Sequence, residues 1–159
     1  MILVLLGTFP LKFDRPLIEL DRLLKKGIIL EEVIVQNGHT QYNGSSMTFI
    51  PFLTVDALLD LYRRADIVIT QGGTGSIIKG LKMNKKMIAV ARLAKYGESV
   101  DDHQTELIQE FAGANYLLPW NEGDDLAELI SNAKNFEPTV YKSSEKEIVN
   151  YLINYIDNI

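Results

Sequence analysis

The strongest candidate for ligand chemistry is Gln71-Gly72-Gly73-Thr74-Gly75-Ser76, which follows the apolar run Ile67 to Thr70 and opens a segment with helical spacing. Glycines in a strand-to-helix connection let the backbone approach a ligand closely, while the unpaired N–H groups and dipole of the following helix favour phosphate. Thr74 and Ser76 add hydroxyl donors, and Ser76 is also a candidate helix cap. A tight turn with a purely steric need for glycine would read the same way, and spacing alone leaves both readings open. The run matches neither G-x-G-x-x-G nor the P-loop, because Gly75 is not followed by Gly-Lys-Ser/Thr. Nicotinamide dinucleotides and ATP are disfavoured on that ground.

A second polar cluster, Tyr96-Gly97-Glu98-Ser99-Val100-Asp101-Asp102-His103-Gln104, stands at the start of another helical pattern. His103 and Gln104 could hydrogen-bond a polyhydroxylated ligand, Gln104 with both a donor and an acceptor. The alternative is ordinary capping by Asp101 or Asp102, with His103 in the first turn. His39 has no acidic or nucleophilic neighbour assignable by spacing. Two histidines make a poor metal site, and Asp101-Asp102 and Asp124-Asp125 lack metal-diphosphate spacing, so no metal and no cofactor are expected.

Short apolar runs must position these residues: Ile2 to Leu6, Glu32 to Val35, Met47 to Ile50, Ile67 to Thr70, Met87 to Val90 and Tyr116 to Leu118. They alternate with helical patterns at Arg15 to Lys26, Val55 to Arg64, Ser76 to Asn84, Asp102 to Phe111 and Asp125 to Ala133. This alternation predicts an α/β fold, a Rossmann-like parallel sheet with helices on both faces. Ligands on such sheets bind beyond the strands' carboxyl ends, which singles out Gly7-Thr8, Gln71 to Ser76 and Arg92 to Gln104. The polar link from Gln36 to Met47 reads as a loop. A last helix, Ser144 to Asn158, carries an apolar face broad enough to contact something beyond this domain.

The chain has 159 residues, 47% of them hydrophobic, which suits one core and one domain over residues 1–159. Its net charge of −5 gives no general attraction to nucleic acid or anionic lipid. The absence of cysteine removes disulfides and thiol catalysis and fits a cytoplasmic setting. Met1 to Leu6 lacks the basic head and apolar length of a secretory signal, and no stretch approaches the roughly 20 apolar residues of a spanning helix.

The pattern resembles the bacterial exopolysaccharide glycosyltransferases related to the eukaryotic Alg13 subunit, the carboxyl-terminal half of the GT-B fold in glycosyltransferase family 28. The likeness runs through Leu6-Gly7-Thr8, Phe13-Asp14-Arg15, Val35-Gln36-Asn37-Gly38, Tyr42, the Gly72 to Ser76 loop and Gly97-Glu98 through Gln104. It implies that the glycine loop holds the diphosphate of a UDP-sugar, that Gln104 reads sugar hydroxyls with His103 beside it, and that Gly7-Thr8 faces the cleft. It further implies an Alg14-like, membrane-anchored partner subunit that receives a lipid-linked saccharide acceptor, recruiting this chain to the cytoplasmic face of the membrane. The terminal helix would help to dock that partner, and self-association is conceivable in its absence.

Four positions depart from the family pattern. Histidines often follow Gly-Thr, open the glycine loop and follow Gly-Glu, where this chain has Phe9, Gln71 and Ser99. The ribose-binding glutamate of related transferases aligns with Lys79, which cannot accept those hydrogen bonds. The reading is transfer of a hexose, with Lys79 or Arg92 helping to neutralise the departing diphosphate and no general base on this chain. A non-catalytic nucleotide-sugar-binding subunit is the competing reading.

Overall fold

A computed structural model describes residues 1–142; the helix expected over 144–158 lies outside them. Six strands form one sheet: β1 (Ile2–Leu5), β2 (Val33–Gln36), β3 (Thr48–Ile50), β4 (Ile67–Gln71), β5 (Lys86–Val90) and β6 (Leu118–Pro119). The spatial order is β3-β2-β1-β4-β5-β6 and every pairing is parallel. β1 lies at its centre, and all four of its residues are buried, as expected for a strand covered on both faces.

The helices are α1 (Arg15–Lys25), α2 (Val55–Arg64), α3 (Thr74–Lys82), α4 (His103–Gly113) and α5 (Leu126–Asn135). The strand period of two divides the core into layers. Ile2, Val4, Ile67 and Ile69 pack with Leu17, Leu20 and Leu23 of α1 and with Leu126 and Ile130 of α5. Leu3, Leu5 and Val68 point the other way, to Leu61 and Tyr62 of α2, Ile77 and Leu81 of α3 and Ile108 of α4. Each fully buried Leu, Ile or Val in these layers contributes about 1.5–3 kcal/mol relative to exposure.

Each strand shifts from expectation by one or two residues at one or both ends, and two of the shifts have a tertiary reason. β2 runs one residue further, to Gln36, because the Gln36 amide finds backbone partners: Nε2 donates to Gly7 O (3.1 Å) and Pro51 O (2.9 Å). β6 starts at Leu118 instead of Tyr116, because Tyr116 N–H closes the end of α4 by donating to Phe111 O at 3.0 Å. The link after β2 does connect as a loop, tied back where Phe13 N–H donates to Thr40 Oγ1 (3.0 Å) and Tyr42 Oη to Asp21 Oδ2 (3.3 Å).

Candidate functional site: a cleft at the switch point of the sheet

After β1 the chain crosses to one side of the sheet and after β4 to the other, so a crevice opens between their carboxyl ends. Gly7 forms its floor with φ +75°, a conformation that favours glycine. A Cβ on Gly7 would lie 1.9 Å from Gln71 Nε2, and one on Gly38 2.2 Å from Gly7 O, so three segments meet with no room for side chains. Gln36 completes the floor by accepting Gly7 N–H at 3.2 Å while donating to Gly7 O. Gln36 on β2 and Gln71 on β4 thus grip Gly7 from opposite sides of β1.

The crevice holds two hollows. One, of about 350 Å³, runs between Gln36, Phe52, Leu53 and Leu58 on one side and Gly73, Gly75 and Ser76 on the other. The second, of about 480 Å³, is lined by Phe9, Arg92, Ser99, Asp101 and Gln104. Thr8 and Gln71 line both and form the ridge between them.

The glycines of the β4–α3 turn separate into different roles. A Cβ on Gly72 would meet Gln104 Cβ at 2.7 Å, so this glycine answers a packing need. Gly75 has nothing within 4 Å of its ideal Cβ and no positive φ, so neither sterics nor backbone conformation requires it. The open space beside Gly75 at the start of α3 leaves room for a ligand to approach the backbone closely. α3 begins at Thr74 with Gly73 at the N-cap, which corrects the expected start and capping role of Ser76. Ser76 lies in the first turn, and its carbonyl accepts from buried Tyr62 Oη at 2.8 Å. Among the described residues the N–H groups of Thr74, Gly75 and Ser76 meet no acceptor. The positive end of the helix is therefore open beside the smaller hollow.

The β5–α4 segment is organised differently. Arg92, 1% exposed, donates from Nε to Gln71 Oε1 (2.7 Å), from Nη1 to Leu11 O (2.8 Å) and Glu98 O (3.0 Å), and from Nη2 to Leu6 O (2.9 Å). Its guanidinium also stacks 4.7 Å from the Phe13 ring centroid. Burial pulls its pKa below the ordinary value, and Glu98 opposes that shift. Arg92 is thus a fixed charge beneath the larger hollow, with its donors already committed to Gln71 and to backbone carbonyls. Buried Glu98 accepts from Arg15 Nε (3.1 Å) and Nη2 (3.0 Å) and from Leu93 N–H (3.0 Å), so its carboxylate holds the loop in place.

Gln104 Oε1 accepts from Gly72 N–H and Arg92 N–H, both at 3.1 Å, which orients its amide nitrogen as the end without a partner among the described residues. Gln104 therefore offers the larger hollow a donor, not the donor-and-acceptor pair its residue type suggests. His103 is exposed: its N–H donates to Asp101 Oδ1 (3.1 Å) and its Nδ1 lies 3.6 Å from Glu106 Oε2, the geometry of the capping alternative. Asp102 Oδ1 instead accepts Ala94 N–H at 2.7 Å. The structure brings Gly7, Thr8, Gln71, Gly73, Gly75, Ser76, Arg92 and Gln104 to the crevice. Half-buried Lys79 and exposed His103 line neither hollow. Sequence reasoning gave no site role to Gln36, Phe52 or Leu53; the signal at Gln36 was a polar residue closing a strand, as Gln71 closes β4.

A parallel sheet in this order, with a crevice at its switch point and an open helix amino terminus, is a Rossmann-like domain like the carboxyl-terminal half of GT-B glycosyltransferases. The chain belongs to the glycosyltransferase family 28 C-terminal domain family, whose sequence profile matches residues 2–157. It is 24% identical over 109 residues to the UDP-N-acetylglucosamine transferase subunit ALG13 of Candida albicans, a match covering 69% of this chain and 36% of that protein. The chain thus spans about a third of the curated relative it matches. Among solved structures it resembles the spinosyn forosaminyltransferase SpnP (TM-score 0.59, 10% identity, 84% of this chain and 35% of that one). The solution structure of ALG13 is similar along most of its own length (TM-score 0.50, 15% identity, 95% of this chain and 92% of that one).

Proposed function

We propose that this chain is the donor-binding part of a two-component glycosyltransferase that moves a hexose from a UDP-sugar to a lipid-linked saccharide in exopolysaccharide or capsule assembly. The observation that carries this reading is the open amino terminus of α3. Thr74, Gly75 and Ser76 carry the unpaired N–H groups, and Gly75 and Ser76 line a hollow whose opposite wall is Phe52, Leu53 and Leu58. Diphosphate on the N–H groups and a flat base on the apolar wall would fill that arrangement. The sugar would extend across the Thr8–Gln71 ridge, where Gln104 Nε2 offers a donor. In the reaction the acceptor hydroxyl attacks the anomeric carbon, the bond from that carbon to the diphosphate oxygen breaks, and UDP leaves with the electron pair. Backbone N–H groups and the fixed charge of Arg92 would stabilise that leaving group.

The attacking hydroxyl must also lose a proton. Asp101 is the acid lining the larger hollow, and its Oδ1 already accepts His103 N–H. We assign the base to a partner protein, an Alg14-like membrane-anchored subunit. The word "subunit" in the ALG13 name agrees with a two-part enzyme. Among the described residues no helix is long and apolar enough to cross a membrane. The location that goes with the proposed partner is the cytoplasmic face of the membrane, where that subunit would hold this chain.

Calorimetric titration with UDP tests donor binding; Gly75→Val should weaken UDP by about tenfold or more, and unchanged affinity would remove the phosphate assignment. Transfer from UDP-glucose or UDP-N-acetylglucosamine by the co-expressed pair tests activity. A stable complex that binds UDP yet never turns over would establish the competing reading, a binding subunit, which Phe9, Gln71, Ser99 and Lys79 motivate.

A further inference from the structure

A cavity of about 300 Å³ opens at the same sheet edge as the crevice, yet it shares no lining residue with either hollow. Alternation along two elements separates them. After β5, Arg92 faces the crevice while Ala91 and Leu93 face the cavity; at the start of α4, Gln104 faces the crevice and Thr105 the cavity. The lining has unmet hydrogen-bonding capacity. Thr105 Oγ1 is buried without a partner among the described residues. Gln109 Nε2 donates to Asn121 Oδ1 at 3.1 Å, which leaves Gln109 Oε1 as an acceptor and Asn121 Nδ2 as a donor. Trp120 forms an aromatic wall, anchored where its backbone N–H donates to Ala89 O at 2.8 Å.

The charges around the opening are already paired, Arg15 with Glu98 (3.0 Å) and Lys95 with Glu122 (2.6 Å). Tyr96 Oη also donates to Glu122, at 2.6 Å. Among the described residues an anionic ligand would find no unmatched cation there, and a purely apolar one would leave the Thr105 hydroxyl buried and unbonded. A neutral ring bearing several hydroxyls meets both conditions, with its C–H face on the indole and its hydroxyls on Thr105, Gln109 and Asn121. The volume lies at the lower end of the range for ligand pockets, about 300–1,000 Å³.

We propose that this cavity is a second, separate binding site for a neutral pyranose ring, held by Trp120, Thr105 and the Gln109–Asn121 amide pair. The inference does not rest on the UDP-sugar reading of the crevice.

Trp120 is the sole tryptophan of the chain, so its fluorescence reports on this cavity directly. Methyl glycosides of glucose, galactose and N-acetylglucosamine are titrated into the full chain, with calorimetry against UDP on the same samples. At least one glycoside should shift Trp120 emission saturably, with a dissociation constant of about 1–10 mM. Thr105→Val should weaken it about three- to tenfold while leaving the ligand-free melting temperature unchanged or raised, because the lost hydroxyl has no partner to lose. Gln109→Leu, at an exposed position on α4, should weaken it similarly and leave UDP affinity intact. No emission change with any glycoside, equal response in both variants, or tighter binding of glucose 6-phosphate than of glucose would overturn the proposal. Sugar binding without UDP binding would instead sink the reading of the crevice alone.

Discussion

After β4 the chain turns into α3 with three backbone N–H groups lacking acceptors among the described residues, whereas after β5 the side chains that look most reactive are already bonded to Arg15, Gln71 and backbone groups. Both connections leave the same sheet edge and both carry glycine and polar residues. In the first the ligand-binding capacity lies in the backbone, and in the second the side chains form a scaffold. Arg92, Glu98 and Gln104 bind the β1, β4 and β5 loops into one rigid floor, so the open N–H groups of α3 keep a fixed direction. Polar side chains near a cleft are therefore a poorer guide to ligand contact than backbone groups left unpaired.

That contrast can be broken at Arg92. Arg92→Met strips donors from Gln71 Oε1 and from three buried carbonyls, and should lower unfolding free energy by about 3 kcal/mol or more in urea titrations. Arg92→Lys should recover only part of it, since one ammonium cannot span those acceptors. A variant as stable as wild type would show that the segment is not the scaffold. The glycine turn gives a prediction of crossing signs. Gly72→Ala forces a Cβ against Gln104 and should destabilise by about 1–3 kcal/mol, whereas Gly75→Ala meets open space and should stabilise by up to about 1 kcal/mol. Gly75→Ala should still weaken UDP; parallel melting and titration curves check both signs, and two destabilised variants would collapse the distinction.

Gln104→Glu sharpens the comparison on a smaller scale. A carboxylate still accepts Gly72 N–H and Arg92 N–H, so stability should stay within about 1 kcal/mol, while the donor facing the larger hollow is gone. Any preference for UDP-sugar over UDP should disappear, and a preference that survives would remove Gln104 from sugar recognition. The smallest effect lies away from both connections. The hydrogen bond from Lys25 holds the Asp21 carboxyl below its ordinary range despite opposing desolvation. A depressed carboxylate contributes stability that is fully present above the unfolded pKa of about 3.9 and is lost as pH falls through the lower folded value. The gap between wild type and Asp21→Asn should be full above about pH 4 and narrow below it. A gap independent of pH would place the acid sensitivity elsewhere.

The elements were legible in the sequence because short apolar runs and helical spacing are local properties: Ile2 to Leu5 is apolar throughout, as a strand covered on both faces must be, while the split into two layers appears only in the fold. The glycine turn was legible as a place but not as a function. Gly72 and Gly75 look equivalent in the chain, and only the position of α4 makes one a packing contact and leaves the other open. Gln36 entered only as part of the family likeness, with no role at the site, because a polar residue ending a strand is ordinary until its amide is seen across Gly7 from Gln71.

The sequence by itself determined the alternating α/β order, the strand-end location of the crevice and the family resemblance, since these rest on periodicity and on short motifs contiguous in the chain. Only the tertiary structure decided which candidates face the crevice and which hold it together. Glu98, Arg92 and Gln104 carry groups able to bind a ligand, and their availability depends on partners up to 86 residues away. Hydrogen bonding is settled by proximity in space, and a buried guanidinium or carboxylate takes the partners that folding brings to it.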